Sequence, residues 1–201
     1  MNEMRYDKDD LQEALRVLRD GGIIVYPTDT VWGIGCDATN AEAVKKIYAL
    51  KQREDSKSML VLLADETALD EYVTVPTCAR ALLKEERERA AQAEETRPLT
   101  IIYPDARKVA HNLIAEDGSL GIRLTEEAFT QALCRRLGRP IVSTSANISG
   151  EPAAKTYSQI SEAIRNGVDY VCHYRREDET AKQPSRIVKV SKEGEITVIR
   201  G

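Results

Sequence analysis

Short, strongly apolar runs alternate with helical patterns along most of this chain, and this alternation limits the folds open to it. Residues 23–26 and 59–63 are typical of buried strands, whereas Leu11, Ala14 and Leu18 keep the spacing of one helix face. Strands that alternate with helices indicate helical layers packed on a sheet. The sequence therefore predicts a layered α/β fold.

The same patterns place the remaining elements. Further strands are predicted at 31–36, 99–103, 120–124, 140–144 and 168–172, helices at 79–95, 126–137 and 158–166, and a hairpin at 186–199. Thr39 and Glu42 form a capping-box pattern that predicts another helix, with Val44 and Ile47 on its apolar face. The polar segment 174–184 is predicted to be a mobile loop.

Length and composition narrow the class of protein. The chain has 201 residues, 42% apolar and 31% charged, so we expect residues 1–201 to form one domain. It contains no membrane-length apolar run and no signal-peptide core, which predicts a cytoplasmic protein without a membrane partner. The net charge of -4 argues against whole-molecule attraction to nucleic acid. Four dispersed cysteines and two histidines do not predict a zinc site.

A glycine pattern at 33–38 matches G-x-G-x-x-A, and Asp55 follows about twenty residues later, as in a dinucleotide fold. The context argues against that fold. The glycines fall inside or at the end of a predicted strand rather than at a strand-to-helix turn. The chain also lacks G-x-x-x-x-G-K-[ST], so neither common phosphate-binding loop is predicted.

Two polar groups follow predicted strands. Thr28 and Asp29 come directly after the strand at 23–26, where ligands enter open α/β sheets, although a tight turn explains them equally well. Ser143, Ser145 and Asn147 are spaced by two at the end of the strand at 140–144. They either direct hydrogen-bonding groups into a pocket for phosphate, ribose or base, or form a polar turn.

Cationic residues form the other candidate groups. Lys51, Arg53 and Lys57 follow the helix that begins near residue 40. Two interpretations are open. Either they neutralise the partial negative charge at the C-terminal end of that helix, or the chain there is extended and they present a row of positive charges to an oligophosphate. Arg123 alternates with apolar neighbours in the strand at 120–124. A guanidinium there requires an anion, either a protein carboxylate or a substrate carboxylate.

Taken together, these segments resemble the YrdC family, the threonylcarbamoyl-AMP synthases. The resemblance rests on Tyr-Pro-Thr-Asp-Thr-Val-Trp-Gly-Ile-Gly at 26–35, Lys-x-Arg at 51–53 and Ser-Thr-Ser-Ala-Asn-Ile-Ser-Gly at 143–150. It extends from about residue 8 to the end of the sequence. Trp32 stands where the family usually has Tyr or Phe, and Glu54 stands where Pro is usual. Trp32 either lines the cavity or belongs to the core.

The resemblance implies a twisted mixed sheet with flanking helices that enclose a basic cavity. In that cavity ATP, L-threonine and bicarbonate would yield threonylcarbamoyl-AMP and pyrophosphate, with Mg²⁺ carried by the nucleotide. The product would pass to the machinery that threonylcarbamoylates tRNA, with direct contact to RNA left open. By position, the ATP residues would be Lys51, Arg53, Lys57, Ser143, Ser145, Asn147 and Arg200, with Lys51 and Arg53 also catalytic, and the threonine residues would be Thr28, Arg123 and Ser185.

Two other functions are compatible with these residues. One is a paralogue that keeps the nucleotide pocket but acts on another acyl donor. The other is a noncatalytic protein that binds double-stranded RNA through the basic concavity. Pyrophosphate release that depends on threonine would distinguish the three.

Overall fold

The computed structural model describes residues 6–52, 59–92 and 97–201. Its helices and strands alternate over much of the chain. They are α1 Lys8–Arg19, β1 Ile24–Tyr26, β2 Gly33–Gly35, α2 Ala41–Lys51, β3 Leu60–Leu63, α3 Leu69–Tyr72, α4 Thr77–Gln92, β4 Leu99–Tyr103, β5 Leu120–Leu124, α5 Ala128–Leu137, β6 Ile141–Ser145, α6 Glu162–Asn166, β7 Tyr170–Val171, β8 Arg186–Val190 and β9 Ile196–Arg200. Short 3-10 turns lie at Glu66–Ala68, His111–Leu113 and Tyr157–Gln159.

The strands form one mixed sheet in the order β7-β1-β2-β6-β3-β5-β4-β8-β9. Three neighbouring pairs are parallel, namely β1 with β7, β3 with β5, and β4 with β8. The other five pairs are antiparallel. The predicted α/β fold with a twisted mixed sheet is therefore confirmed.

Helices cover the two faces of the sheet unequally. Helices α1 and α5 pack on one face, where Leu11, Leu62 and Phe129 share a buried cluster. Because alternate residues of a strand share a face, Leu60 lies on the same face as Leu62. Leu60 is only partly buried, because it packs against this cluster on one side and lines a cavity on the other. The cavity therefore begins on this face where the cover of α1 and α5 ends.

Tyr26 explains the glycine pattern of β2. A Cβ atom added at Gly35 would lie 2.6 Å from the Tyr26 ring and 2.4 Å from the Val142 carbonyl oxygen, and one at Gly33 would lie 3.1 Å from the Thr28 methyl. The Tyr26 hydroxyl donates to that Val142 carbonyl over 3.0 Å. Gly35 thus leaves room for the buried Tyr26 ring and Gly33 for the Thr28 methyl, which is consistent with rejecting the dinucleotide motif.

Several predicted boundaries are wrong. The cap of α2 is Asn40 rather than Thr39, because the Asn40 side chain accepts from the amides of Glu42 and Ala43, whereas Thr39 bonds to Asp37. The predicted helix at 158–166 is split, since Ser161 caps a helix that begins only at residue 162. The predicted strands at 31–36 and 168–172 are shorter in the structure. They reduce to β2 and β7 because only those residues pair with neighbouring strands as a regular ladder.

The segment 174–184 has no helix or strand but makes specific contacts. Arg175 has a φ of 63° and binds Asp178 and the Thr28 carbonyl oxygen. This segment is therefore tied to the turn that follows β1. Within the described ranges, no helix has the length and apolar character needed to cross a bilayer.

Candidate functional site

A cavity of about 750 Å³ lies on the open part of the sheet face. Strands β2 to β6, β8 and β9 contribute to its wall. Its polar lining includes Thr30, Thr100, Arg123, Ser143, Thr144, Ser145, Ser185, Lys189 and Arg200, together with the carboxylates of Glu116 and Asp117. The size and mixed lining are those of a small-molecule site.

Arg123 is the most deeply buried cation of this lining, with 3% of its surface exposed. Its Nη2 atom lies 3.0 Å from Oδ1 of Asp29, so the two form an ion pair. The geometry does not make a hydrogen bond, and Nε and Nη2 of Arg123 have no hydrogen-bond acceptor. Burial of unsatisfied donors costs free energy, so this guanidinium is suited to an additional anion.

Arg200 adds a second positive charge to the wall. Its Nε donates to the Ser185 carbonyl oxygen over 2.8 Å, and its Nη2 lies 3.3 Å from the Ser185 hydroxyl. Partial burial and the positive charges of Arg97 and Arg123 lower the pKa of Arg200. The Arg200 guanidinium therefore lies in a positive field, to which the lining residue Arg123 contributes, and an anion bound in the cavity would relieve that repulsion.

Ser185 and Thr100 form a buried hydroxyl pair beside these cations. Their oxygens lie 2.8 Å apart, and both residues are 1% exposed. Thr100 stands opposite Arg123 in the β4–β5 pairing. Arg123, Arg200 and Ser185, which were predicted separately, are thus brought to one cavity wall.

The predicted Ser143, Ser145 and Asn147 group lies at the end of β6. Ser143 and Ser145 line the cavity, whereas Asn147 is not among the described lining residues. The Asn147 amide donates to the carbonyl oxygens of Ile148 and Glu151. Its buried Oδ1 atom has no hydrogen-bond partner.

The Lys51 side chain turns toward the segment that follows β6. It is the last residue of α2, and Gln52 ends the helix in the left-handed conformation. Lys51 is 2% exposed, and its ammonium donates to the carbonyl oxygens of Ser145 and Asn147. Arg53 and Lys57 lie outside the described residues.

Thr28 sits in the turn behind the cavity wall. Its hydroxyl donates to the Val31 carbonyl over 2.7 Å and accepts from the Thr30 amide over 3.0 Å. Thr30 and Val31 line the cavity, and Thr28 is not among the described lining residues. Trp32 belongs to the core, at 4% exposure against the Tyr157 ring.

Several polar cavity residues were missed by sequence reasoning, among them Thr100 and Lys189. Thr100 and Lys189 lie in apolar runs that predicted only strands. The alternation of side chains along β4 and β8 could have indicated which face of the sheet they occupy. Lys189 forms an ion pair with Asp117, and hydrogen bonds from Lys189 and Ser119 hold the pKa of Asp117 at about 2. In the described part of the chain, no three Asp, Glu, His or Cys residues are grouped to hold a metal.

Comparison with known proteins places this chain among named relatives. The model of the Sua5/YciO/YrdC family, described as "Telomere recombination", matches residues 16–201. A threonylcarbamoyl-AMP synthase of Vibrio campbellii is 32% identical over 176 residues, which cover 88% of this chain and 91% of the relative. One from Stenotrophomonas maltophilia is 34% identical over 159 residues, 79% of this chain and 83% of the relative.

Solved structures show the same fold at lower identity. The H234A/Y235A variant of P. abyssi Sua5 superposes with a TM-score of 0.81 at 22% identity, over 98% of this chain and 57% of that one. P. abyssi Sua5 complexed with L-threonine gives a TM-score of 0.75 at 21% identity, over 92% of this chain and 52% of that one. This chain therefore spans little more than half of Sua5. The family match and the curated relatives together show that the chain belongs to the Sua5/YciO/YrdC family.

Proposed function

We propose that this protein is a threonylcarbamoyl-AMP synthase, a nucleotidyltransferase that converts ATP, L-threonine and bicarbonate into threonylcarbamoyl-AMP and pyrophosphate. The names of its curated relatives support this activity, and one similar structure carries L-threonine. They do not favour a paralogue with another acyl donor or a noncatalytic RNA-binding protein. In this proposal residues 1–201 act as one cytoplasmic domain whose product feeds tRNA threonylcarbamoylation.

The observation that carries the proposal is the buried Arg123 guanidinium. It lines the cavity, its charge is balanced on one side by Asp29, and two of its nitrogens lack a hydrogen-bond acceptor. A planar guanidinium binds a carboxylate through two parallel hydrogen bonds. The threonine carboxylate is therefore assigned to Arg123, with Ser185 and the Thr28 turn beside it.

The reaction then needs two steps. The threonine amine combines with bicarbonate to give a carbamate and water. A carbamate oxygen attacks the α-phosphorus of ATP, and the bond from that phosphorus to the bridging oxygen breaks as pyrophosphate leaves. Because the carbamate and the mixed anhydride both decompose in water, exclusion of water from the cavity by the bound substrates would favour product formation over hydrolysis.

Charge stabilisation is assigned to the cationic wall of the cavity. Arg200 and Lys189 carry positive charge there, and Ser143 and Ser145 supply hydroxyl donors for ATP. Mg²⁺ bound to the triphosphate would neutralise part of the charge that develops on pyrophosphate. Glu116 is the lining carboxylate with the greater freedom to approach such an ion, since Asp117 is paired with Lys189.

Pyrophosphate release tests this proposal directly. The protein is incubated with ATP and Mg²⁺, with or without L-threonine and bicarbonate, and the adenylate is identified by mass spectrometry. We expect release only when both threonine and bicarbonate are present, because the nucleophile forms from the two together. Serine should react several-fold less well, since it lacks a methyl group worth about 1 kcal/mol. Equal turnover without threonine contradicts the proposal.

A further inference from the structure

Lys51 binds the protein's own carbonyl groups from the end of α2. Its Nζ atom lies 2.5 Å from the Ser145 carbonyl oxygen and 2.6 Å from that of Asn147. The Lys51 carbonyl in turn accepts from the Ser149 amide over 2.9 Å. One residue therefore holds the turn after β6 at three points.

These contacts are buried, unlike the contact that Lys46 makes from the same helix. A buried ammonium is tolerated when hydrogen-bond acceptors surround it, and bonds from a charged donor are shorter and stronger than neutral ones. Lys51 is 2% exposed, whereas Lys46 of the same helix reaches the Gly21 carbonyl at the surface. The Lys51 ammonium thus makes two buried hydrogen bonds to the turn.

The turn held by Lys51 continues directly from the cavity wall. Ser143, Thr144 and Ser145 line the cavity, and Lys51 is not among the described lining residues. A shift of the Ser145 and Asn147 carbonyls would move the Ser145 hydroxyl, because both belong to one short stretch of backbone.

We propose that Lys51 is a positioning residue, which fixes the 145–149 turn for ATP and makes no contact with the phosphates. This inference rests on the proposed function, because it assigns ATP to the cavity. Phosphate charge is then met by cations that line the cavity, such as Arg200 and Lys189.

The two roles predict different behaviour of a charge-conserving variant. If Lys51 contacts phosphate, Lys51→Arg keeps much of the affinity, since arginine also binds phosphate. If Lys51 holds two carbonyls in a closed space, the larger guanidinium displaces the turn, and Lys51→Arg is as harmful as Lys51→Met. Lys46→Met is the matched control, because it removes a lysine of α2 with the same charge change.

Calorimetric titration with ATP at several salt concentrations separates these cases. We expect ATP Kd to rise about tenfold or more in both Lys51 variants and to stay unchanged in Lys46→Met. The salt dependence of log Kd should match that of the unmodified protein, since the number of cation–phosphate contacts stays the same. Near-normal affinity of Lys51→Arg overturns the inference, and so does a weaker salt dependence in Lys51→Met. A lower Tm with unchanged ATP Kd shows a role in stability alone and also overturns it.

A measurement on the unmodified protein covers the case in which the variants do not fold. Lysines are acylated with an amine-reactive reagent, with and without ATP, and are read by mass spectrometry. We expect Lys51 to stay unreactive in both states while Lys46 reacts in both. Reaction of Lys51 without ATP, whether or not ATP then protects it, overturns the inference. If the protein binds no ATP at all, the proposed function fails, and the labelling still tests the lysine contacts.

Discussion

Asp10 and Asp29 are two carboxylates of low exposure, and they differ in whether hydrogen-bond donors of the protein satisfy them. Asp10, on α1, is 3% exposed, and it accepts hydrogen bonds from the Tyr170 hydroxyl and from the amides of His173 and Tyr174. Asp29, behind the cavity, has an ion pair with Arg123, but its buried Oδ1 makes no hydrogen bond. Protein donors satisfy the Asp10 carboxylate without a ligand, whereas the Asp29–Arg123 pair keeps buried polar atoms without hydrogen-bond partners.

The difference shows how a buried charge indicates function. A charge used for architecture is satisfied by protein groups, because unsatisfied burial is costly. Around Arg123 the unsatisfied donors face a cavity that also holds Arg200, whose pKa is lowered by burial and by neighbouring positive charge. Substitutions in the two regions should therefore affect different measurements.

The largest effect is expected for Arg123→Lys. Lysine keeps the charge beside Asp29 but loses the planar pair of donors, so threonine should bind poorly. We expect kcat/KM for threonine to fall about 100-fold, near 2.7 kcal/mol of transition-state stabilisation, with most of the change in KM. The apparent KM for ATP should change less than threefold. Steady-state pyrophosphate assays with each substrate varied measure this.

Urea unfolding supplies the control for Arg123→Lys, because a folded variant is needed to interpret its kinetics. A large loss of stability with normal threonine KM in the remaining folded protein would place Arg123 in the same architectural class as Asp10.

A smaller effect is expected for Asp10→Asn, and it should fall on stability rather than on catalysis. The Asn side chain has an NH2 group in place of one carboxylate oxygen. That group faces an N–H or O–H donor, which then has no acceptor. We expect the free energy of unfolding to fall by about 2 kcal/mol, equivalent to a Tm decrease of about 4–8 °C. Threonine-dependent activity at 20 °C should stay within twofold. A selective loss of activity would refute the separation of the two regions.

Thr100→Val tests the hydroxyl pair of the cavity. Valine keeps the shape but removes the group that bonds the Ser185 hydroxyl, which Arg200 also approaches. We expect a five- to tenfold loss in kcat/KM for threonine, about 1 kcal/mol, with recovery in Thr100→Ser. Thr130→Val is the matched control, since the Thr130 hydroxyl bonds the Pro27 carbonyl in the core. It should cost about 1 kcal/mol of stability and leave kinetics unchanged; equal kinetic losses in both valine variants would contradict the assignment.

The smallest effect is expected for Asp178→Asn. Hydrogen bonds from the Thr180 amide and from Arg175 hold the pKa of Asp178 at about 2. Because this folded-state pKa is below the unfolded value of about 3.9, the stabilisation is present above pH 4 and is lost as pH falls toward 2. This carboxylate is partly exposed, so we expect less than about 1 kcal/mol at pH 7. Urea unfolding at pH 7 and pH 3 should show the difference from the unmodified protein narrowing at pH 3; a wider gap at pH 3 would exclude the ion pair as its cause.

Sequence pattern predicted most of the sheet because its strands are buried runs of apolar residues. Strands β4 and β5 were predicted at their observed boundaries, and α5 was two residues shorter than expected. Boundaries failed where local hydrogen bonds compete, as at Asn40 and Ser161, since several polar residues in succession could cap each helix. The short helix α3 and the 3-10 turns carry too few residues for a periodic signal.

The site was predicted as a set of residues but not as a set of contacts. Alternation in β5 indicated that Arg123 needs an anion, yet no sequence spacing identified Asp29, which is 94 positions earlier, as its partner. The direction of Lys51 was also hidden, because α2 ends at that residue and the chain then turns. The partners of Arg123 and Lys51 are distant in the sequence, so residue type alone could not identify them.

The close packing of Tyr26 under β2 has a practical consequence for redesign of the cavity. A library intended to change the accepted amino acid would be placed at Ile102 and Ile187, whose side chains line the wall from β4 and β8. Codons at Gly33 and Gly35 should be held fixed. A new Cβ atom would meet the aromatic ring and the Val142 carbonyl at Gly35 and the Thr28 methyl at Gly33, so diversity introduced there would disturb the packing of β2 rather than alter substrate choice.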